Sequence, residues 1–392
     1  MKADFMRVGE PEPEGPLVSI VMPAHNAGET IAYAIDSVRR QSFSNWEMVI
    51  VDDHSTDDTA EVATSYGASD DRIRYVENSK KGVSSARNFA IELARGELIG
   101  FLDADDFYYE DALGKRVRHL VDNRSVDAVF CPTEMVDEAS DRLGWVVGSR
   151  PIVGFHDMHS CPFHINGVML RRRALKGMRF DEDVTNGEDW LLWQRIARTG
   201  TNFHIVDTCR VAYRQHKEST VHCDFLEHEK RIEKVISVIY GQDPDCAMPH
   251  EVFKDGLRDP PKELVFMKRR LGTMIRFLLS NDEEGALSIA RQFHPVVWQQ
   301  LPASVVARMI QFATMRYYVC KSTEWLAYWS QHCDTIKPFF ERNFPRGTYP
   351  NMGEALFREI EGSNQRGAGP RQSLRKVLSW LVSRVKGRSF GK

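Results

Sequence analysis

Several things are missing from this sequence. In 392 residues no apolar run approaches eighteen, so no segment reads as a membrane-crossing helix. The opening stretch, MKADFMRVGEPEPEGP, has no apolar core of the signal-peptide kind and reads as a disordered lead-in. The seven cysteines are Cys131, Cys161, Cys209, Cys223, Cys246, Cys320 and Cys333, an odd and scattered set without a CxxC pair. That argues against a disulfide framework and suits free thiols in a reducing cytosol. Net charge is only −3, so no global field attracts nucleic acid. No GxGxxG follows an apolar run, which argues against a dinucleotide oxidoreductase. No internal repeat stands out. A hydrophobic fraction of 42% and a charged fraction of 27% are those of an ordinary globular chain, long enough for two domains.

What is present is an alternation of two periods. LVSIVMP (17–23), WEMVIVDD (46–53), RIRYVEN (72–78) and ELIGFLD (97–103) read as strands, the first of them continuous enough to be buried on both faces. Between them ETIAYAIDSVRRQ, STDDTAEVATSYG and GVSSARNFAIELARG read as helices. Ser55 and Asp58 have capping-box spacing, and Gly67 and Gly96 are placed to end their helices. Strand, helix and strand at roughly thirty-residue intervals imply βαβ units and a mainly parallel sheet. Ligands bind such sheets beyond the carboxyl ends of the strands. Pro23 to Asn26, Asp52 with Asp53, and Asp103 with Asp105 and Asp106 all leave strands there, so three loops are expected on one rim. Asp103 and Asp105 are hard oxygen donors separated by one residue, a pattern that suits Mg²⁺ or Mn²⁺, although taken alone such a pair is more commonly a solvated turn.

From about Asp224 the chain changes to successive amphipathic helices. The expected organisation is a lead-in at 1–16, an α/β domain at 17–223, an α-helical domain at 224–362, a Gly-rich linker at 363–372 and a basic amphipathic helix at 373–392. That last segment places Leu374, Val377, Leu378, Leu381 and Val385 on one face and is rich in Lys and Arg. It reads as peripheral attachment to an anionic cytoplasmic membrane face, or else as a helix packed on the protein. The cluster HDMHSCPFH (His156, His159, Cys161, His164) has zinc-ligand residue types but no second half at finger spacing. His164 and Asn166 are weak candidates for contacting an acceptor.

The order VSIVMPAHN, VIVDDHSTD, GVSSARN, GFLDADD, NGEDWLLWQRIARTG resembles the inverting nucleotide-sugar glycosyltransferases of family two, over residues 17–220. The resemblance implies a GT-A fold, a nucleoside-diphosphate sugar donor (UDP-linked in particular), Mn²⁺ or Mg²⁺, and a saccharide or lipid-linked acceptor in bacterial polysaccharide assembly. It implies that Pro23, Ala24, Asn26 and Asp52 line the nucleotide pocket, with Arg87 near the base or diphosphate. Asp103 would meet ribose or metal, Asp105 metal, and His216 metal as a possible third ligand. Asp189 would be the general base, which direct inversion requires; Glu188 would position it. His25 departs from the commoner residues at its position. The bland readings are that Glu188 and Asp189 only complement a helix dipole and that Trp190 packs in a core rather than under a sugar. Arg214 and Lys217 would meet the diphosphate or solvent. Two alternatives stand beside this reading. A nucleotidyltransferase would need a Gly-rich basic loop where PAHNAGET has one Gly and no Lys or Arg. A degenerate domain acting as a scaffold is disfavoured by retention of both acidic motifs.

Overall fold

The computed structural model describes residues 15–148, 150–216, 225–293, 303–321 and 323–343. They form two compact units, the first from residues up to 214 together with 234–257, the second from 215–233 and from 258 onward.

The first unit contains strands β1 (Val18–Ala24), β2 (Trp46–Asp52), β3 (Ile73–Glu77), β4 (Leu98–Phe101), β5 (Phe107–Tyr108), β6 (Ala128–Phe130), β7 (Thr133–Val136), β8 (Arg142–Val147), β9 (Ile152–Val153), β10 (Val168–Arg171), β11 (Phe203–Ile205) and β12 (Val211–Arg214). The main sheet runs β3-β2-β1-β4-β10-β6-β11-β9, and β5-β12-β7-β8 form a smaller one. β1 to β4 are mutually parallel, while β10 is antiparallel to β4 and β6. Helices α1 (Ile31–Arg39), α2 (Thr59–Ser69), α3 (Val83–Leu93), α4 (Ala112–Asp122) and α5 (Glu188–Arg198) cover it. The unit is an α/β layer structure of the expected class.

The central strands β1, β2 and β4 read as near-continuous apolar runs because both their faces are buried. Val18, Ile20 and Met22 join Met48 and Ile50 under Ile31, Ile35 and Val38 of α1 and Leu113, Val117 and Leu120 of α4. Val21, Val49, Val51, Ile99 and Phe101 face the other way, toward Ala86 and Ala90 of α3 and Leu192, Trp193 and Ile196 of α5. Each such aliphatic side chain contributes about 1.5–3 kcal/mol of burial. The polar Ser19 within β1 is satisfied: its hydroxyl donates to Glu47 Oε1 (2.6 Å) and accepts from Gly96 N (2.7 Å).

Several sequence expectations differ from the structure. Gly96 does not end α3, which stops at Leu93. α2 starts at Thr59 and runs through Gly67, without the Ser55 capping box. Ser55 is engaged elsewhere, donating its N–H to Asp52 Oδ1 (2.9 Å) and accepting from Asn26 N (3.0 Å). Gly67 lies where a Cβ would come within 3.2 Å of the Ile73 carbonyl, so it marks a close approach to β3 rather than a stop. The expected domain boundary at 223/224 also moves. The chain leaves the first unit after Arg214, returns to it at Lys234, inside α6 (Phe225–Ile239), and leaves it again after Leu257. Residues 234–257 pack in the first unit because α5 holds them. Arg195 pairs with Asp243 (3.1 Å) and Asp245 (2.6 Å), and Arg198 donates to the carbonyls of Val238 and Gly241 (both 2.8 Å).

The second unit is helical as expected, with α7 (Lys262–Leu279), α8 (Glu283–Ala290), α9 (Ala303–Tyr318) and α10 (Trp325–Asn343). The linker at 363–372 and the basic segment at 373–392 lie outside the described residues.

Candidate functional site

Parallel register brings the strand ends level: Ala24 sits opposite Asp52, and Asp52 opposite Glu77. Pro23 and Ala24 are buried at the end of β1, while His25 and Asn26 are exposed just beyond it. Asn26 takes a left-handed φ of 47°, which asparagine tolerates. Its side-chain oxygen accepts from Thr56 N (2.8 Å), and the His25 ring bonds the Asp53 carbonyl through Nδ1 (2.7 Å). The loop after β1 is thus stitched to the loop after β2. Gly28 makes the closest approach, since a Cβ there would lie 1.7 Å from Asp58 Oδ1. Asp52 is 4% exposed, with Oδ1 bonded by Ser55 N and Oδ2 by the Tyr75 hydroxyl (2.9 Å each). Each carboxylate oxygen keeps a second lone pair for a ligand. Burial, then the bond to Asp52, pushes the Tyr75 phenol well above its ordinary range.

Asp53 does different work from Asp52. Both its oxygens accept from Gly82 N (2.8 and 2.9 Å), and Oδ1 also accepts from Asn78 Nδ2 (3.0 Å). Gly82 caps α3 at a φ of +125°, a conformation that L side chains rarely adopt. This cap sets the direction of α3 and so the position of Arg87. Asn88 on the same helix holds the loop before α5 through both Phe180 main-chain groups (2.9 Å each).

Arg87 is the centre of the rim. It is 5% exposed, and its guanidinium reaches Asp103 Oδ1 at 2.8 Å and Glu188 Oε1 at 2.7 Å. Burial opposes its charge, yet Asp103 and Glu188 more than offset this and hold the pKa above the arginine range. One side chain therefore ties the acidic turn after β4 to the first residue of α5. Asp189, the next residue, is half-buried, and its Oδ1 accepts from Trp190 N (2.6 Å). Burial, then the Glu188 charge, pushes its carboxyl up to about 7. A carboxyl that exchanges its proton near neutrality suits general acid–base work.

The acidic turn is shaped from beneath by Asn166, which is fully buried. Its oxygen accepts from Asp103 N (3.0 Å), and its amide nitrogen donates to Asp106 Oδ2. Asp106 also accepts from Arg214 N (2.7 Å). Burial, then Asp105 and Asp103, hold its pKa well above the usual carboxylate range. Asp103 and Asp105 remain partly exposed on the rim side of this scaffold.

Several sequence candidates have other tasks. Asn166 is scaffold for the acidic turn and, being fully buried, no acceptor contact. Trp190 is 2% exposed and donates Nε1 to the Met158 carbonyl (2.8 Å), so it is core rather than a sugar platform. Arg214 is neither solvated nor aimed at an open rim: its guanidinium donates to the carbonyls of Asp105 (2.8 Å) and Glu138 (2.6 Å). In the HDMHSCPFH stretch His159 bonds the His156 carbonyl, the Cys161 thiol donates to the Phe163 carbonyl, and His164 packs on Tyr213. Among the described residues no three His, Cys, Asp or Glu side chains gather to hold a metal by themselves. His216 follows β12 by two residues and belongs to the second unit. Lys217 lies outside the described residues. Asp53 and Asp106 were placed on the rim by the sequence but given no role of their own, and Tyr75, which had no local signal, was not singled out.

Comparison with known proteins gives the family and the fold. The family model for glycosyl transferase family 2 matches residues 19–177. An uncharacterised glycosyltransferase of Rickettsia typhi is 31% identical over 47% of this chain and 60% of its own length, so the chain spans less than two thirds of that relative. The Escherichia coli protein WfaP, named a UDP-Glc:alpha-D-GlcNAc-diphosphoundecaprenol beta-1,3-glucosyltransferase, is 32% identical over 54% of this chain and 82% of its own. Staphylococcus aureus TarS, residues 1–349, solved in complex with UDP-GlcNAc, superimposes with a TM-score of 0.52 at 16% identity, covering 80% of this chain and 92% of that one. At that identity the likeness speaks for the fold alone, which is the GT-A arrangement of sheet and helices. With a βαβ sheet, an acidic turn after β4 and an acidic first turn on α5 joined through Arg87, the chain belongs to glycosyl transferase family 2.

Proposed function

We propose that the protein is an inverting hexosyltransferase that takes a sugar from a nucleoside-diphosphate donor, UDP-linked in particular, and places it on a lipid-linked or growing saccharide in bacterial cell-surface polysaccharide synthesis. The observation that carries this is the Asp103–Arg87–Glu188 bridge, with Asp189 raised to about 7 beside it. It joins a group suited to holding the donor to a group suited to taking a proton.

In this reading Pro23, Ala24, Asn26 and Asp52 line the nucleoside end, and Arg87 and Asp103 the diphosphate end. Asp189 removes the proton from the acceptor hydroxyl as that oxygen attacks the anomeric carbon opposite the leaving diphosphate. Glu188 keeps the Asp189 pKa high and anchors Arg87. A divalent cation fits the acidic turn: Asp103 and Asp105 offer hard oxygen donors, are partly exposed, and are too few to hold the ion without substrate, as is usual for Mg²⁺. When bound it would supply Lewis-acid charge for the leaving diphosphate. His216 stays a candidate third ligand on the resemblance alone. Attachment to an anionic membrane face through residues 373–392 is part of the proposal and rests on sequence.

The test is a thermal-shift panel of nucleotide sugars with and without Mn²⁺, followed by transfer assays with the donor it selects. A uridine diphosphate sugar should stabilise the protein more with Mn²⁺ than with EDTA. Equal shifts from all nucleotides, or none, would remove the donor assignment.

A further inference from the structure

The acidic turn between β4 and β5 is pinned at two points. Asn166 holds Asp103 N from beneath, and a second pin comes from the end of β12. In the smaller sheet β12 lies between β5 and β7, antiparallel to the first and parallel to the second. β5 begins at Phe107, directly after the acidic turn, and β7 leads into the turn at 137–141 that joins it to β8. Arg214, the last residue of β12, therefore stands between the two turns.

Its side chain bridges them and is 7% exposed. Nε donates to the Asp105 carbonyl (2.8 Å), while Nη1 donates to the Glu138 carbonyl (2.6 Å) and the Ser140 hydroxyl (2.9 Å). The main-chain N–H adds a bond to Asp106 Oδ1 (2.7 Å). Asp105 is thus held by its own carbonyl on one side and by its neighbour's carboxyl on the other, which fixes the peptide between them. The turn at 137–141 is a firm support. Asp137 N donates to the Asp141 carbonyl (2.9 Å), Asp141 N donates to Asp137 Oδ1 (2.8 Å), and Ser140 takes a left-handed φ of 69°. The rings of Tyr33 and Phe107 flank the guanidinium, each centroid 5.9 Å from its carbon. A planar fork can reach two segments at set angles, which the point charge of a lysine cannot. Groups that hold a ligand need to stay within about 0.5 Å of the productive geometry, and their supports decide whether they do.

We propose that Arg214 is a positioning residue for Asp105. Braced on the turn at 137–141, it holds the Asp105 main chain so that the carboxylate faces the cation and the donor diphosphate. This rests on the reading of Asp105 as a metal ligand.

The full chain is titrated calorimetrically with UDP in EDTA and at graded Mn²⁺, and Tm is read in the same buffers. Arg214→Lys keeps the charge and the main-chain bond to Asp106 but cannot span both turns. It should raise the Mn²⁺ concentration that half-saturates the gain in UDP affinity about tenfold, the scale of one lost hydrogen bond to a charged group, and leave UDP affinity in EDTA unchanged. Ser140→Gly removes only the hydroxyl and accepts the left-handed φ freely, so it should fold normally and shift the same midpoint by about threefold. A role in folding alone would lower Tm and leave the Mn²⁺ midpoint where it is; that result overturns the proposal, as does a loss of UDP affinity equal with and without Mn²⁺. A shift in Arg214→Lys without one in Ser140→Gly overturns the part assigned to the turn. Should the wild type itself gain nothing from Mn²⁺, the reading of Asp105 as a metal ligand fails and the proposal with it. A wild-type gain that both variants share in full removes Arg214 alone.

Discussion

If Asp189 is the base, the rate of transfer must follow its ionisation. With a pKa of about 7 the carboxyl is about one-tenth ionised at pH 6 and about nine-tenths at pH 8. kcat/KM should therefore rise roughly tenfold between those values, where an ordinary aspartate, ionised near pH 4, would give a flat profile. Glu188→Gln tests the cause. Glutamine can still accept from Arg87, but it removes the negative neighbour that raises Asp189, so the rising limb should move to lower pH. Stability has its own sign. A carboxyl raised in the folded state binds a proton that the unfolded chain has released between about pH 4 and 7, so folding loses stability as pH rises through that window. Asp189→Asn abolishes this loss, and its Tm advantage over wild type should grow from pH 5 to pH 8. The same variant should lose about 10²–10⁴ in transfer rate with little change in donor affinity. The assay is nucleoside diphosphate release across pH 5 to 9 with saturating donor, alongside thermal unfolding in the same buffers. A flat rate profile, or a limb that stays put in Glu188→Gln, refutes the reasoning.

Other expectations follow from the same geometry. Asp105→Ala should abolish the gain in UDP affinity that Mn²⁺ gives the wild type in calorimetry; an unchanged Mn²⁺ response would take Asp105 out of the metal site. Asn166→Ala strands Asp103 N and the buried Asp106, which costs about 1–3 kcal/mol and should lower Tm by several degrees while weakening donor binding. Gly82→Ala meets no side-chain obstacle, so any loss there, expected at about 1 kcal/mol or more, reports backbone strain at φ +125° and should also disturb Arg87. Full-length protein should pellet with anionic vesicles at low salt, and a chain truncated after Ser363 should not; equal pelleting would discount the basic segment.

The parallel sheet, its helices and the rim at the strand ends were legible because they depend on local patterns. Buried β-branched runs, 3.6-residue periodicity and loops that leave strands rich in Asp are each written within a dozen residues. The acidic turn could be placed for the same reason, as could the helical character of the second unit, whereas the Glu188–Asp189 pair was singled out by the family resemblance. Other features depended on pairings across the chain. Ser55 gave up a helix cap to hold the Asn26 loop, which no reading of residues 55–58 alone could foresee. Arg195 and Arg198 drew residues 234–257 into the first unit, so that α6 is divided between the two units. Asn166 lies 63 residues from Asp103, and Arg87 lies 101 from Glu188, yet these contacts set the shape and charge of the rim. The raised Asp189 carboxyl is the clearest case. Its residue type and position on a helix are in the sequence, but its affinity for a proton comes from burial and from the charges that folding places around it.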